Sequence, residues 1–122
     1  MSKKKLLVID DEVDFGFLMR SFFAPRNFDI YVALTLAEGM RLIEKERPDV
    51  VFLDNNLPDG LGWERTEDIL MKYPFIQLNL ISALRVPKSS ATAFRILAKP
   101  LRWEELKELY DVDFIAPLGS AA

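Results

Sequence analysis

"VVFLDNNLPDG", residues 50–60, sets four apolar residues in a row and then stops on Asp54, followed by asparagines, a proline and a glycine. A run this short and wholly apolar reads as a strand covered on both faces. A strand end that meets water can carry any polar residue. Asp54 is therefore either a turn-former, in keeping with Asn55, Asn56, Pro58 and Gly60, or a reactive group. The rest of the chain has to decide.

Working outward, the same alternation recurs on both sides. Leu6–Ile9 is a second short apolar run, and Phe15, Leu18, Met19 and Phe22 then recur at helical spacing until Pro25 ends the pattern. Asp29–Leu34 reads as a strand. "TLAEGMRLIEKERP" (35–48) reads as a helix with a capping-box signature at Thr35 and Glu38 and a stop at Pro48. After Asp54, a helix is expected over Leu61–Tyr73, a strand over Phe75–Ile81 and a short strand over Ile96–Ala98. "RWEELKELY" (102–110) should form a closing helix with Trp103, Leu106 and Tyr110 inward. Strands alternating with helices imply right-handed crossovers and a parallel sheet with helices on both faces. No repeat or linker divides the chain, so one domain is expected over residues 1–117. The small, featureless "LGSAA" (118–122) is set aside as a tail.

Composition narrows the chemistry. With 122 residues and half of them apolar, the chain can bury a real core. No stretch has the length to cross a bilayer. The apolar run after "MSKKK" is too short for a secretion signal, which favours a cytoplasmic location. There is no cysteine and no histidine, so thiolate catalysis, zinc–sulfur sites and the usual general base are excluded. Hard cations and carboxylate chemistry remain. A formal charge of −3 gives no pull toward nucleic acid.

Ligands of an open α/β sheet gather where the carboxyl ends of the strands open into a crevice. The residues at those exits are Asp10-Asp11-Glu12, then Asp54, then Ser82, then Lys99-Pro100. Singly, each has a structural explanation. The acidic residues suit a helix N-terminus, Asp54 suits a turn, and Pro100 suits the start of a helix. Jointly they ask for more. Three converging carboxylates would repel one another and raise their pKa values. A magnesium ion, with a lysine across the crevice, resolves that repulsion.

"LLVIDDE", "PDVVFLDNNLPDGLGWE", Ser82 and "LAKP" together resemble the receiver domain of two-component response regulators, in order and over nearly the whole chain. The resemblance implies a flavodoxin-like α/β fold, a doubly wound five-stranded parallel sheet of order 2-1-3-4-5. Asp54 matches the phosphoacceptor, and Asp10 and Asp11 match the acidic pair that helps hold Mg2+. The Asn56 backbone carbonyl completes the implied metal ligands. Ser82 matches the hydroxyl position and Lys99 the lysine, with a cis bond expected before Pro100. The implied partner is a sensor histidine kinase or a histidine phosphotransfer protein, which passes its phosphoryl group to Asp54. The chain itself is then a signalling switch rather than an enzyme acting on other molecules.

Two departures from that pattern stand out. "SALRVPKSSATAFRILAK" (82–99) is short by about a helical turn or more, so the fourth helix is expected to be truncated or disordered. Gln77 and Asn79 alternate with Leu78 and Leu80, as in a strand left wet by a lost covering helix. Ile96 stands where the family places a switching aromatic residue, and strand parity is read as setting Phe94 on the other side. A degraded fourth helix also favours a monomer or weak dimer. On the first helix, Phe17 projects away from the apolar stripe and is a candidate docking contact for the kinase.

The competing function is a phosphorylation-independent interaction module on the same fold. A flavodoxin-type cofactor binder would want a phosphate-cradling loop after the first strand, where "DDEVD" would repel a phosphate. A DNA-binding role lacks a basic face.

Overall fold

The structure is a computed structural model that describes residues 3–83 and 94–111. Its frame is a parallel sheet of β1 (Lys4–Ile9), β2 (Phe28–Ala33), β3 (Val50–Asp54), β6 (Gln77–Ser82) and β7 (Phe94–Ala98), in the order β2-β1-β3-β6-β7. A small antiparallel hairpin, β4 (Asn56–Leu57) and β5 (Gly60–Leu61), follows β3. With the hairpin left aside, the order is the expected 2-1-3-4-5. β1 lies between β2 and β3, with Leu7 opposite both Tyr31 and Val51.

Side chains alternate across each strand, so the sheet sorts its own residues into two cores. Leu7, Ile9, Leu53, Leu78 and Leu80 face one side, under Ile43 of α2 (Leu36–Glu46) and Ile69 of α3 (Thr66–Lys72). Leu6, Val8 and Phe52 face the other. There they meet Phe15, Met19, Phe22 and Phe23 of α1 (Val13–Phe23) and Leu106 of the closing helix α4 (Trp103–Leu106). Phe22, Phe23 and Phe52 are fully buried, each stabilising the fold by about 2–3 kcal/mol relative to exposure. The aromatic density belongs to the α1 side.

Local chemistry adjusts the element boundaries. Thr35 Oγ1 accepts the Glu38 N–H at 3.1 Å, as a capping residue should, but Glu38 Oε1 accepts from Leu34 N at 3.2 Å, so the reciprocal bond falls one residue early. The expected helix over 61–73 begins later. Gly60 and Leu61 pair in the hairpin, Gly62–Arg65 is a 3-10 turn, and only Thr66–Lys72 is α-helical. β7 starts two residues before Ile96. The closing helix is one α-turn followed by a π-turn over Lys107–Asp111. Trp103 is 38% exposed, yet its ring meets Phe22 edge-on at 5.0 Å.

Two expectations are corrected. Asn79 is fully buried, not wet. Gln77 and Asn79 lie on the α1 and α4 side, where the Tyr110 hydroxyl reaches both, and the opposite side of β6 carries Leu78 and Leu80. The polar alternation thus marks a hydrogen-bonded contact with the closing helix. Phe94 and Ile96 share one face, since they are two apart, and both pack against the Leu78 and Leu80 cluster. The expected fourth-helix region lies, over residues 84–93, outside the described residues, as does the tail. No helix among the described residues is long and apolar enough to cross a membrane.

Candidate functional site

The four strand exits converge. Asp10, directly after β1, is almost fully buried, and its backbone N–H donates to the Ala33 carbonyl at 3.0 Å, which fixes the chain as it leaves the sheet. Its Oδ1 accepts the Glu12 N–H at 2.8 Å, turning the chain into α1. Asp54 ends β3 and is 5% exposed. Asp10, Asp11 and Asp54 each offer a carboxylate oxygen, and these lie within 4.8 Å of one another. Asp11 is the exposed member of the three.

Lys99 enters from the far edge. Its backbone N–H donates to the Ser82 carbonyl at 2.8 Å, and the Lys99–Pro100 peptide is cis, as the resemblance implied. The ammonium lies 2.6 Å from Asp10 Oδ2 and 3.8 Å from Asp54 Oδ1, and it also bonds Glu12 Oε1. Its Nζ also lies over the Phe15 ring, 5.2 Å from the centroid. Ser82 is buried at the end of β6, one residue beyond Ile81, which pairs with Asp54. Asn56 opens the hairpin, two residues past Asp54, opposite Leu61.

Electrostatics follow from this packing. Burial, and then the neighbouring Asp10 charge, push the Asp54 carboxyl up to about 6, against the pull of Lys99 and the Asn55 backbone N–H. Burial also raises Asp10, although Lys99 and the Glu12 N–H oppose it. Lys99 is pulled down by burial, but its bonds to Asp10 and Glu12 outweigh that and hold it above the ordinary lysine value. One ammonium faces three acidic groups of the cluster and Glu12. Carboxylate charge left in excess inside a partly dry crevice fits a hard divalent cation with oxygen ligands.

The loop beyond Asp54 is tied down more firmly than turn propensity suggests. Asn55 Oδ1 accepts the Trp63 N–H at 3.1 Å, and the Asn55 carbonyl accepts from Gly62 N at 2.8 Å. A Cβ on Gly62 would run into the Asp54 carbonyl oxygen and lie 2.9 Å from Leu53 Cδ1. Asp59 reaches away to another helix, its two oxygens accepting Leu36 N at 2.7 Å and Ala37 N at 2.9 Å. The asparagine, glycine and second aspartate of "DNNLPDGLG" therefore clamp the loop that carries Asp54.

Sequence reasoning missed two residues here. Glu12 was legible as a strand-exit acid, but its bond to Lys99 depends on where β7 ends. Val13, 58% exposed, lies one turn before Phe17, 64% exposed, and the two make an apolar strip on α1 near the site. An i, i+4 apolar pair opposite the buried stripe was the available signal.

A five-stranded doubly wound sheet with an aspartate at the end of its third strand, a paired acidic exit and a lysine before a cis proline defines a class of signalling domain. Residues 6–111 match the response regulator receiver domain family, and the chain belongs to it. It is 30% identical over 114 residues to the response regulator protein PilR of Pseudomonas aeruginosa, a match that covers 89% of this chain and 26% of that protein. The chain thus spans about a quarter of that relative's length. Among solved structures it resembles a CheY-like response regulator receiver domain from Methanospirillum hungatei JF-1, with TM-score 0.77, 19% identity and coverage of 99% and 100% of the two chains. It also resembles the response regulator TrrA of Thermotoga maritima, solved in complex with Mg2+-BeF, with TM-score 0.73, 24% identity and coverage of 88% and 96%.

Proposed function

We propose that this domain is a phosphorylation-dependent switch in which Asp54 accepts a phosphoryl group from a phosphohistidine on a sensor kinase or phosphotransfer partner. The observation that carries this reading is the meeting of Asp54, Asp10, Asp11 and Lys99 at the carboxyl ends of the strands. Asp54 is ionised near neutral pH, as a carboxylate nucleophile must be. One of its oxygens forms the O–P bond as the P–N bond to the partner's imidazole breaks, and the bonding electron pair returns to the imidazole nitrogen. Lys99 is within a short side-chain movement of the transferring oxygens and offsets their charge.

Asp10, Asp11, Asp54 and the Asn56 backbone carbonyl are the residues that would hold Mg2+. The ion, when bound, supplies positive charge that screens the carboxylates and the phosphoryl oxygens. Ser82, at the end of β6, hydrogen-bonds the acyl phosphate, whose extra charge of roughly one to two units biases the surrounding loops. Val13 and Phe17 offer the partner an apolar contact beside the site. The domain acts as a monomer or weak dimer.

The test is labelling with a small radioactive acyl-phosphate donor in Mg2+. Incorporation should occur in the parent, disappear in Asp54→Asn and disappear on chelation, with mass spectrometry placing the label on Asp54. A parent that takes up no label would favour the phosphorylation-independent interaction module instead.

A further inference from the structure

The site contains one charged group that the proposed chemistry leaves without a task. Glu12 stands just past the acidic pair, at the N-cap position of α1, yet it makes no side-chain cap bond. Its Oε1 bonds the Lys99 ammonium instead. Lys99 has three N–H donors. Asp10, at 2.6 Å, and Glu12 engage it closely, whereas Asp54 is 3.8 Å away, beyond hydrogen-bond reach. The two anchors differ in setting. Asp10 is sealed inside the crevice, and the Glu12 side chain is 61% exposed at its mouth.

From this we infer that Glu12 is a positioning residue, a tether that holds the Lys99 ammonium at the Asp10 edge of the crevice and off Asp54 until a phosphoryl group competes for it. The inference rests on the phosphorylation reading above and adds a regulator of that same site. A phosphoryl group on Asp54 presents oxygens to the third N–H donor of Lys99, and drawing the ammonium across toward them pulls it away from the Glu12 carboxylate, so Glu12 opposes the phosphorylated state. Because Glu12 sits in water, the opposition is modest. A pair whose acid is exposed in this way corresponds to about a two- to fivefold change in a binding constant.

A negative charge at the mouth of the crevice would also repel an anionic donor, with no contact to Lys99 at all. Reach separates the two explanations. Glu12→Asp keeps the charge but withdraws the carboxylate by about 1.5 Å, one carbon–carbon bond, and aspartate at an N-cap turns toward the helix N–H groups. Glu12→Ala removes both charge and reach. Neither variant deletes a helix cap, because Glu12 provides none with its side chain.

The first measurement uses the metal-free chain of residues 1–122 with 15N-labelled lysine. The Lys99 Nζ resonance should shift in both Glu12→Asp and Glu12→Ala. If it stays at the parent position in both, the tether is refuted, whatever the domain does with phosphate. The second measurement is calorimetric binding of beryllofluoride, a phosphoryl mimic, in Mg2+. Affinity should rise about two- to fivefold in both variants. A rise in Glu12→Ala with parent-like binding in Glu12→Asp would overturn the tether in favour of entrance charge. A parent that binds no beryllofluoride would overturn the phosphorylation reading, while the resonance measurement would still judge the Lys99 contact.

Discussion

Asn79 Nδ2 donates to the Tyr110 hydroxyl across 3.0 Å, joining the centre of β6 to the last described turn of the chain. The hydroxyl in turn donates to Gln77 Oε1 at 3.0 Å, and the Tyr110 ring packs edge-on against Phe23 at 4.9 Å. Asn79 is fully buried, and its Oδ1 has no hydrogen-bond partner among the described residues. The Tyr110 bond therefore carries much of the satisfaction of a polar group in the core. Tyr110→Phe should destabilise the domain by about 1–3 kcal/mol, because it leaves the amide without that acceptor. Asn79→Leu combined with Tyr110→Phe should recover most of the loss, since the pair then leaves no buried polar group unpaired and Gln77 is exposed to water. Urea unfolding of the parent, single and double variants measures both.

The Asp54 carboxyl supplies a prediction with a sign. Its folded-state pKa is raised to about 6 from the ordinary carboxylate value, with burial the main cause. Between those values the folded state binds a proton that the unfolded chain has released, so stability falls as pH rises through the window and levels off above it. Asp54→Asn has no such proton. In chelator, the variant should therefore be more stable than the parent above pH 6, by an amount on the order of 2 kcal/mol. The advantage should vanish as pH drops toward 4. Adding Mg2+ at pH 7 should narrow the gap, because the ion stabilises the charged parent. Denaturation at several pH values, with and without metal, reads the whole pattern.

The parallel sheet and the strand-exit cluster were legible because each depends on local pattern. Val50–Leu53 and Leu6–Ile9 announce buried strands by apolar runs alone, and the rule that ligands gather at strand ends then collects Asp10, Asp54, Ser82 and Lys99. What could not be read depends on partners far apart in the chain. Asn79 looks solvent-facing until Tyr110 arrives 31 residues later to meet it. Glu12 looks like a helix-start acid until Lys99, 87 residues on, takes its carboxylate. The start of the helix expected from Leu61 failed for a related reason. Leu61 carries the helical period, but Gly60 at φ 153° and the hairpin pairing hold the chain extended until Gly62.

Gly62 is where backbone packing and the site meet. A methyl group there would collide with the Asp54 carbonyl oxygen, which is backbone and has no rotamer with which to move aside. Gly62→Ala should cost about 1–3 kcal/mol through this overpacking. The displacement should reach Asp54 directly, so labelling by a small acyl-phosphate donor should fall more than the loss of folded protein explains. Gly16 offers the control. A Cβ there meets only Val32 methyls, at 3.6 and 3.7 Å, ordinary contact distances. Gly16→Ala in α1 should fold at least as well as the parent, since alanine is the better helix former, and should label normally. Thermal melts beside labelling rates distinguish the two glycines.

Asp59 tests whether the loop after β3 and the start of α2 behave as one unit. Its carboxylate accepts the Leu36 and Ala37 N–H groups, and those bonds hold it below the ordinary carboxylate range. A lowered folded-state pKa contributes stability that is present above the ordinary value and is lost as pH falls through the folded one. Asp59→Ala should therefore lower the melting temperature at pH 7, and the difference from the parent should shrink below about pH 4. The variant also removes the cap bonds that Asp59 makes to those two donors, although Thr35 still accepts the Glu38 N–H. Amide exchange should thus accelerate at Leu36 and Ala37 while Glu38 stays protected. Because Asp59 sits on the hairpin that Asn55 anchors through Trp63, exchange should also quicken at Gly62 and Trp63. Acceleration confined to Leu36 and Ala37 would mean that the loop holds its shape without the helix.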